Sequence, residues 1–88
     1  KTKEKQQTIV KKKLSEINSG ETVTIVSFIE EEISENLMKM GFIPGEKVKV
    51  VRFAPLGDPI IVEVLDYYLS IRKAEAERVL VESGNGEL

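Results

Sequence analysis

Glu30, Glu31, Glu32 and Glu35 are the densest run of possible ligands in the sequence, and Met38 and Met40 follow close behind. Carboxylates of this kind could take a hard cation through oxygen. Consecutive carboxylates on a helix point in different directions, however, and the dipole alone favours negative charge at a helix start. A solvated acidic face is therefore the plainer reading. The chain has 88 residues, no histidine and no cysteine. A tight transition-metal site would need carboxylates, carbonyls and thioethers, which is poor material. The same absences remove the commonest general base and every Ser/His or Cys/His arrangement. Composition argues against an enzyme, and neither a cofactor nor a bound metal is expected.

What remains is recognition. Arg52 and Arg72 could each engage a carboxylate or phosphate, although ordinary surface arginines read the same way. Phe53, Pro55, Leu56, Pro59, Tyr67 and Tyr68 are the stronger set. They lie in or after the interruption "FAPLGDPI" between two β-branched runs. Exposed together, they would form an apolar patch of the kind that marks interaction sites. Phe53 or Tyr67 could instead be core. Met38 joins the set as an adaptable side chain, whereas Leu37 and Met40 read as packing, the ordinary role of a helical apolar stripe.

These residues need elements to position them. Leu14 and Ile17 can anchor a short helical turn, and Asn18-Ser19-Gly20 signals a turn. Thr22 to Phe28 is β-branched and predicts a strand. Ile33, Leu37 and Met40 fall at i, i+4 and i+7 and predict an amphipathic helix. Gly41 should end it, with Phe42 folding back on Leu37 or Met38. Pro44-Gly45 suits a type II turn. Glu46 to Phe53 predicts a strand whose alternation slips between Val50 and Val51, so a bulge is expected there. Ile60, Val62 and Val64 alternate cleanly, Tyr67, Leu69 and Ile71 repeat the pattern, and Asp66 occupies the turn between. One helical turn in "RKAEAERV" and a short strand at Val79–Val81 close the domain. The prediction is mainly β: a small, bent barrel of about five short strands, one inserted helix and a short helical turn. At this size the core must be thin, because roughly 60% of the unfolded surface is buried on folding.

Charge is unevenly spread. Residues 1–13 carry six of the 13 basic side chains and one of the 15 acidic ones, a surplus of five positive charges. The remaining residues have a balance of −7 (7 − 14). Residues 1–13 are therefore expected to be a basic, flexible arm, 14–82 the folded domain and 83–88 a flexible tail. The acidic body argues against duplex DNA, whose binding depends on phosphate neutralisation. The arm keeps a reading in RNA or ribosome contact open. No apolar run is long enough to span a membrane or serve as a signal, so a cytoplasmic protein without membrane insertion is expected. Self-association stays open.

The order of short motifs resembles a known family. Met40-Gly41, Pro44-Gly45, Ala54-Pro55-Leu56-Gly57-Asp58-Pro59 and Leu69-Ser70-Ile71-Arg72-Lys73-Ala74-Glu75-Ala76 follow the pattern of the FeoA family, the small ferrous iron transport protein A. The stretch is also similar to the SH3-like domain at the C-terminus of iron-dependent repressors. The resemblance runs from about Leu14 to Val81. Two departures stand out: Glu35-Asn36 occupy positions where the family commonly has arginines, and Asp66 stands where Gly is frequent.

The resemblance implies an SH3-like barrel accessory to bacterial ferrous iron uptake. The implied partner is the cytoplasmic GTPase region of the ferrous iron transporter. The family is also associated with transition metals, which this composition supports poorly. The alternative it implies is a regulatory domain of a metal-dependent transcriptional repressor.

Overall fold

The computed structural model describes residues 11–83, and residues 1–10 and 84–88 lie outside it. Six strands form one antiparallel sheet: β1 (Lys11–Lys13), β2 (Thr22–Phe28), β3 (Lys47–Phe53), β4 (Ile60–Val64), β5 (Tyr67–Ile71) and β6 (Val79–Glu82), in the order β1-β6-β2-β3-β4-β5. A 3-10 turn (Leu14–Glu16) follows β1, helix α1 (Glu31–Lys39) joins β2 to β3, and a single turn α2 (Lys73–Ala76) joins β5 to β6. Alternation along the strands puts Val23, Ile25, Val48, Val50, Ile60, Val62, Val64, Ile71, Val79 and Val81 into one core, closed by Leu14, Ile17, Leu37, Phe42 and Ala76. The sheet thus wraps one apolar interior, as expected of a barrel-like β domain.

Two bulges bend it. On β3 the pairing with β4 shifts between Val50 and Arg52, so Val51 is the extra residue and Phe53 regains the inner face. This is where the sequence alternation slips. On β2 the pairing with β6 shifts between Ile25 and Ser27. A bulge there gives no comparable signal, because apolar or β-branched residues occupy almost every position of β2.

β1 shortens the expected arm. Lys11, Lys12 and Lys13 pair with Glu82, Val81 and Leu80 instead of fraying. The edge of β6 offers a row of backbone partners, and all three lysines keep their side chains in solvent. This sixth strand is one more than the apolar pattern predicts, because three lysines carry no β signal. The remainder of the basic arm, on which the RNA reading rests, lies outside the described residues, as does most of the tail.

Helix α1 ends as its sequence demands. The Gly41 N–H donates to the Met38 carbonyl at 3.1 Å and the Phe42 N–H to the Leu37 carbonyl at 3.0 Å. This paired arrangement is a Schellman stop, with Gly41 at φ 97° and Phe42 buried with Leu37. Met40 packs at the edge of the core, and the side chain of Ile33 lies outside the described set. The Glu46 N–H then bonds the Ile43 carbonyl at 2.9 Å, closing the Pro44-Gly45 turn.

Gly41 carries a second constraint. A Cβ there would lie 2.8 Å from Leu65 Cδ1 and 2.9 Å from Tyr67 Oη, whereas at Gly20, also left-handed, nothing lies within 4 Å. Gly20→Ala should therefore cost about 1 kcal/mol, the backbone term alone. Gly41→Ala should cost about 2–4 kcal/mol, since backbone strain and steric displacement act together. Urea denaturation of the two variants checks the difference, and equal losses would refute it.

Candidate interaction surfaces

The stretch between β3 and β4 is an ordered loop. The Ala54 N–H donates to the Pro59 carbonyl at 3.0 Å, and the Gly57 N–H to the Ala54 carbonyl at 2.7 Å. The Asp58–Pro59 peptide is cis. Asp58 Oδ1 accepts a bond of 3.0 Å from the Lys73 N–H, the first amide of α2. At the same helix start, the Arg72 N–H donates to Glu75 Oε1 at 3.0 Å. Asp58 therefore caps a helix 15 residues further along the chain and fastens the loop to it. The loop's position is set from both sides.

Leu56 stands at the tip of this loop with 95% of its surface exposed, and Pro55 beside it is exposed. Phe53 packs against the core and Pro59 is half-buried, so these two shape the base of the loop and leave the tip to Pro55 and Leu56. Arg52 and Arg72, both exposed, lie at the same end of the sheet, since Phe53, Ile60 and Ile71 form one cross-strand row there.

The tyrosines lie elsewhere. Tyr67 pairs with Val64 and Tyr68 with Glu63, at the other end of β4, roughly 13 Å along the strand from Ile60. The expected single patch is therefore two. Leu65 and Asp66, at φ 51° and 72°, make a two-residue turn that starts β5 at Tyr67. Tyr68 faces outward and is 67% exposed. Tyr67 lies on the inner face at the rim, and its hydroxyl donates to the Met40 carbonyl at 2.6 Å. That bond satisfies a carbonyl left over at the end of α1. Around it Met38, Ile43 and Leu65 are exposed. Leu65 and Ile43 escape the sequence reading because one lies in a turn and the other beside Pro44, where apolar periodicity gives no signal.

Acidic residues do not converge. Among the described residues, no three His, Cys, Asp or Glu side chains are grouped so as to hold a metal ion. Glu30 instead meets Arg78, Oε2 to Nε at 3.5 Å, and the Ile29 N–H bonds the Arg78 carbonyl at 2.8 Å. No described helix is long and apolar enough to cross a membrane. The surfaces suit binding by shape and apolar contact.

Residues 12–83 match the FeoA domain family. Among curated relatives, the chain is 34% identical over 71 residues to the Fe(2+) transport protein A/Fe(2+) transporter FeoB fusion protein of Porphyromonas gingivalis, covering 80% of this chain and 8% of that protein. The chain thus spans under a tenth of that relative's length. The solution structure of the FeoA protein from Chlorobium tepidum superposes with a TM-score of 0.79 at 40% identity, covering 88% of this chain and 74% of the other. The zinc complex of Stenotrophomonas maltophilia FeoA, described as an SH3 domain protein, superposes with a TM-score of 0.71 at 30% identity, covering 82% and 93%. A manganese-dependent transcriptional repressor shares the fold alone, with a TM-score of 0.75 at 15% identity over 86% of this chain and 43% of the repressor. The SH3-like expectation therefore holds.

Two losses of stability separate scaffold from surface. Asp58→Ala should cost about 1 kcal/mol, the usual effect of losing a helix cap, and Tyr67→Phe about 1 kcal/mol for its hydrogen bond. Leu56→Asp should change stability by less than about 0.5 kcal/mol, since the side chain is in water already. Thermal denaturation checks all three, and a large loss from Leu56→Asp would overturn the assignment of an exposed tip.

Proposed function

The chain belongs to the FeoA family, and we propose that it is a non-enzymatic accessory protein of ferrous iron transport in the bacterial cytoplasm, binding the GTPase region of the membrane transporter. The observation that carries this reading is the Porphyromonas gingivalis relative, in which transport protein A and transporter FeoB are one polypeptide. Joining two modules makes their encounter intramolecular, which is useful where the separate modules bind one another. The Stenotrophomonas maltophilia relative is described as a candidate ferrous iron transport activating factor, which agrees with an accessory role. Iron is the cargo in this reading, and the chain is assigned no metal of its own. The repressor reading has only a likeness of fold behind it.

The β3–β4 loop is the proposed contact. Its tip is apolar, exposed and already held by Asp58 and two backbone bonds, so docking would demand little further ordering of the loop. Arg52 and Arg72 would flank the contact and favour acidic groups on the partner. Met38, Tyr67 and Tyr68 are the proposed second contact region at the far end of β4.

Titration against the transporter's isolated cytoplasmic GTPase region at physiological salt tests the proposal. Leu56→Asp should weaken binding about tenfold or more, as loss of a central apolar anchor does. No detectable binding by the unaltered chain, together with normal iron uptake after deletion of its gene, would sink the accessory role. Binding by Leu56→Asp at full strength would move the contact away from the loop.

A further inference from the structure

The two edges of the sheet are built in opposite ways. β1, at one end, is Lys11-Lys12-Lys13, three exposed charges on the strand that an incoming chain would have to pair with. Lysine on an edge strand discourages such pairing. β5, at the other end, is Tyr67-Tyr68-Leu69-Ser70-Ile71, with no charge, no proline and no bulge. Among the described residues it packs substantially against β4 alone. Tyr68 and Ser70 are exposed and Leu69 half-buried. An unprotected, β-prone edge of this kind is a template for another strand.

Its free backbone groups are known from the turn. In a two-residue hairpin the flanking pair, Val64 and Tyr67, exchange both of their hydrogen bonds. Alternation then turns the N–H and C=O of Tyr67, Leu69 and Ile71 toward β4. Those of Tyr68 and Ser70 point away from it, and no other backbone partner holds them among the described residues.

We propose that β5 pairs antiparallel with β5 of a second copy of this chain, about a two-fold axis at Leu69. In that register Tyr68 lies opposite the partner's Ser70 and Ser70 opposite the partner's Tyr68, so all of the outward backbone groups of both residues are used. Leu69 meets the partner's Leu69 as a non-hydrogen-bonded pair, which agrees with its inward-turned backbone. One step beyond the strand at each end, Asp66 in the turn and the partner's Arg72 at the start of α2 come within side-chain reach of each other. The strand itself is uncharged, so its two flanking charges are the ones that choose the register, and here they attract twice over. A register centred on Tyr68 or on Ser70 leaves the Asp66–Arg72 pairs unmade. Self-complementarity of this kind is what an isologous two-fold contact requires. Pairing would also bring the β3–β4 loop end of one copy toward the Tyr67 rim of the other, since Ile71 and Tyr67 lie at opposite ends of the strand.

The chain contains no cysteine, so single cysteines report the register directly. Opposed α-carbons in a non-hydrogen-bonded antiparallel pair are about 4.5 Å apart, within disulfide reach. Leu69→Cys should therefore crosslink the dimer under mild oxidation. Tyr68→Cys should not, because its symmetry mates are staggered by two residues and lie roughly 8 Å apart. In sedimentation equilibrium with the full chain, Arg72→Glu should weaken dimerisation about tenfold by setting like charges opposite each other at both ends. Adding Asp66→Lys to Arg72→Glu should restore it; because Asp66 stands at φ 72°, the single Asp66→Lys variant is the fold control, and it should stay folded while dimerising more weakly. A chain monomeric into the millimolar range would overturn the proposal. So would a dimer indifferent to Arg72→Glu that also crosslinks at Tyr68→Cys, or one abolished by removing residues 1–10 while the charge reversal has no effect.

Discussion

The close approach of Gly41 to Leu65 and Tyr67 is the contact on which the arrangement of helix and sheet depends. Helix α1 has one fully buried side chain among those described, Leu37, and its body rests mainly on β2. Its C-terminal turn is placed by three things at one point: the left-handed Gly41, the Leu65 side chain over it, and the Tyr67 hydroxyl on the Met40 carbonyl. The last two come from the β4–β5 hairpin, far along the sequence. A Cβ at 41 would meet the ends of the Leu65 and Tyr67 side chains, so these would have to shift and the Tyr67 hydrogen bond to Met40 would be disturbed. The left-handed Leu65 and Asp66 follow from the same requirement, because a two-residue turn is the shortest way to deliver Tyr67 to that rim. A small core offers a helix little area, so beside the buried Leu37 the fold uses the close approach of two side-chain ends to the Gly41 backbone.

A similar economy governs the β3–β4 loop. Six residues interrupt two strands that could have been joined by two, and the reason lies in Asp58. Its carboxylate reaches the first amide of α2, so a side chain in one connection terminates the structure of another. α2 is a single turn and could not persist on its own propensity. With Asp58 at its start and Ala76 buried beneath it, the turn becomes a fixed bridge between β5 and β6. The exposed Leu56 is a consequence of that geometry, not of any shortage of core.

Much of this was legible in the sequence, where local chemistry decides. The stop at Gly41-Phe42, the Pro44-Gly45 turn, the bulge at Val51 and the alternation of β4 all followed from residue type and spacing. What the sequence could not show were contacts between distant segments. Tyr67 looked like one more member of an alternating strand, and only its distance from the helix end reveals a hydrogen bond to Met40. Proximity along the chain groups Tyr67 and Tyr68 with Leu56, although β4 separates them from it. Lys11–Lys13 carry no β signal because lysine is not β-prone, and the strand there comes from pairing with the edge of β6.

The chemistry of the surface narrows what this domain can do. The chain has no imidazole or thiol, and among the described residues its carboxylates are dispersed. Among the described residues, the large exposed apolar side chains lie at the β3–β4 loop tip and around the Tyr67 rim, with Ile29 standing apart before α1. The opposite edge and the acidic face of α1 are heavily charged and solvated. Among the described residues, three exposed lysines on β1 and an uncharged β5 give the sheet two chemically different edges.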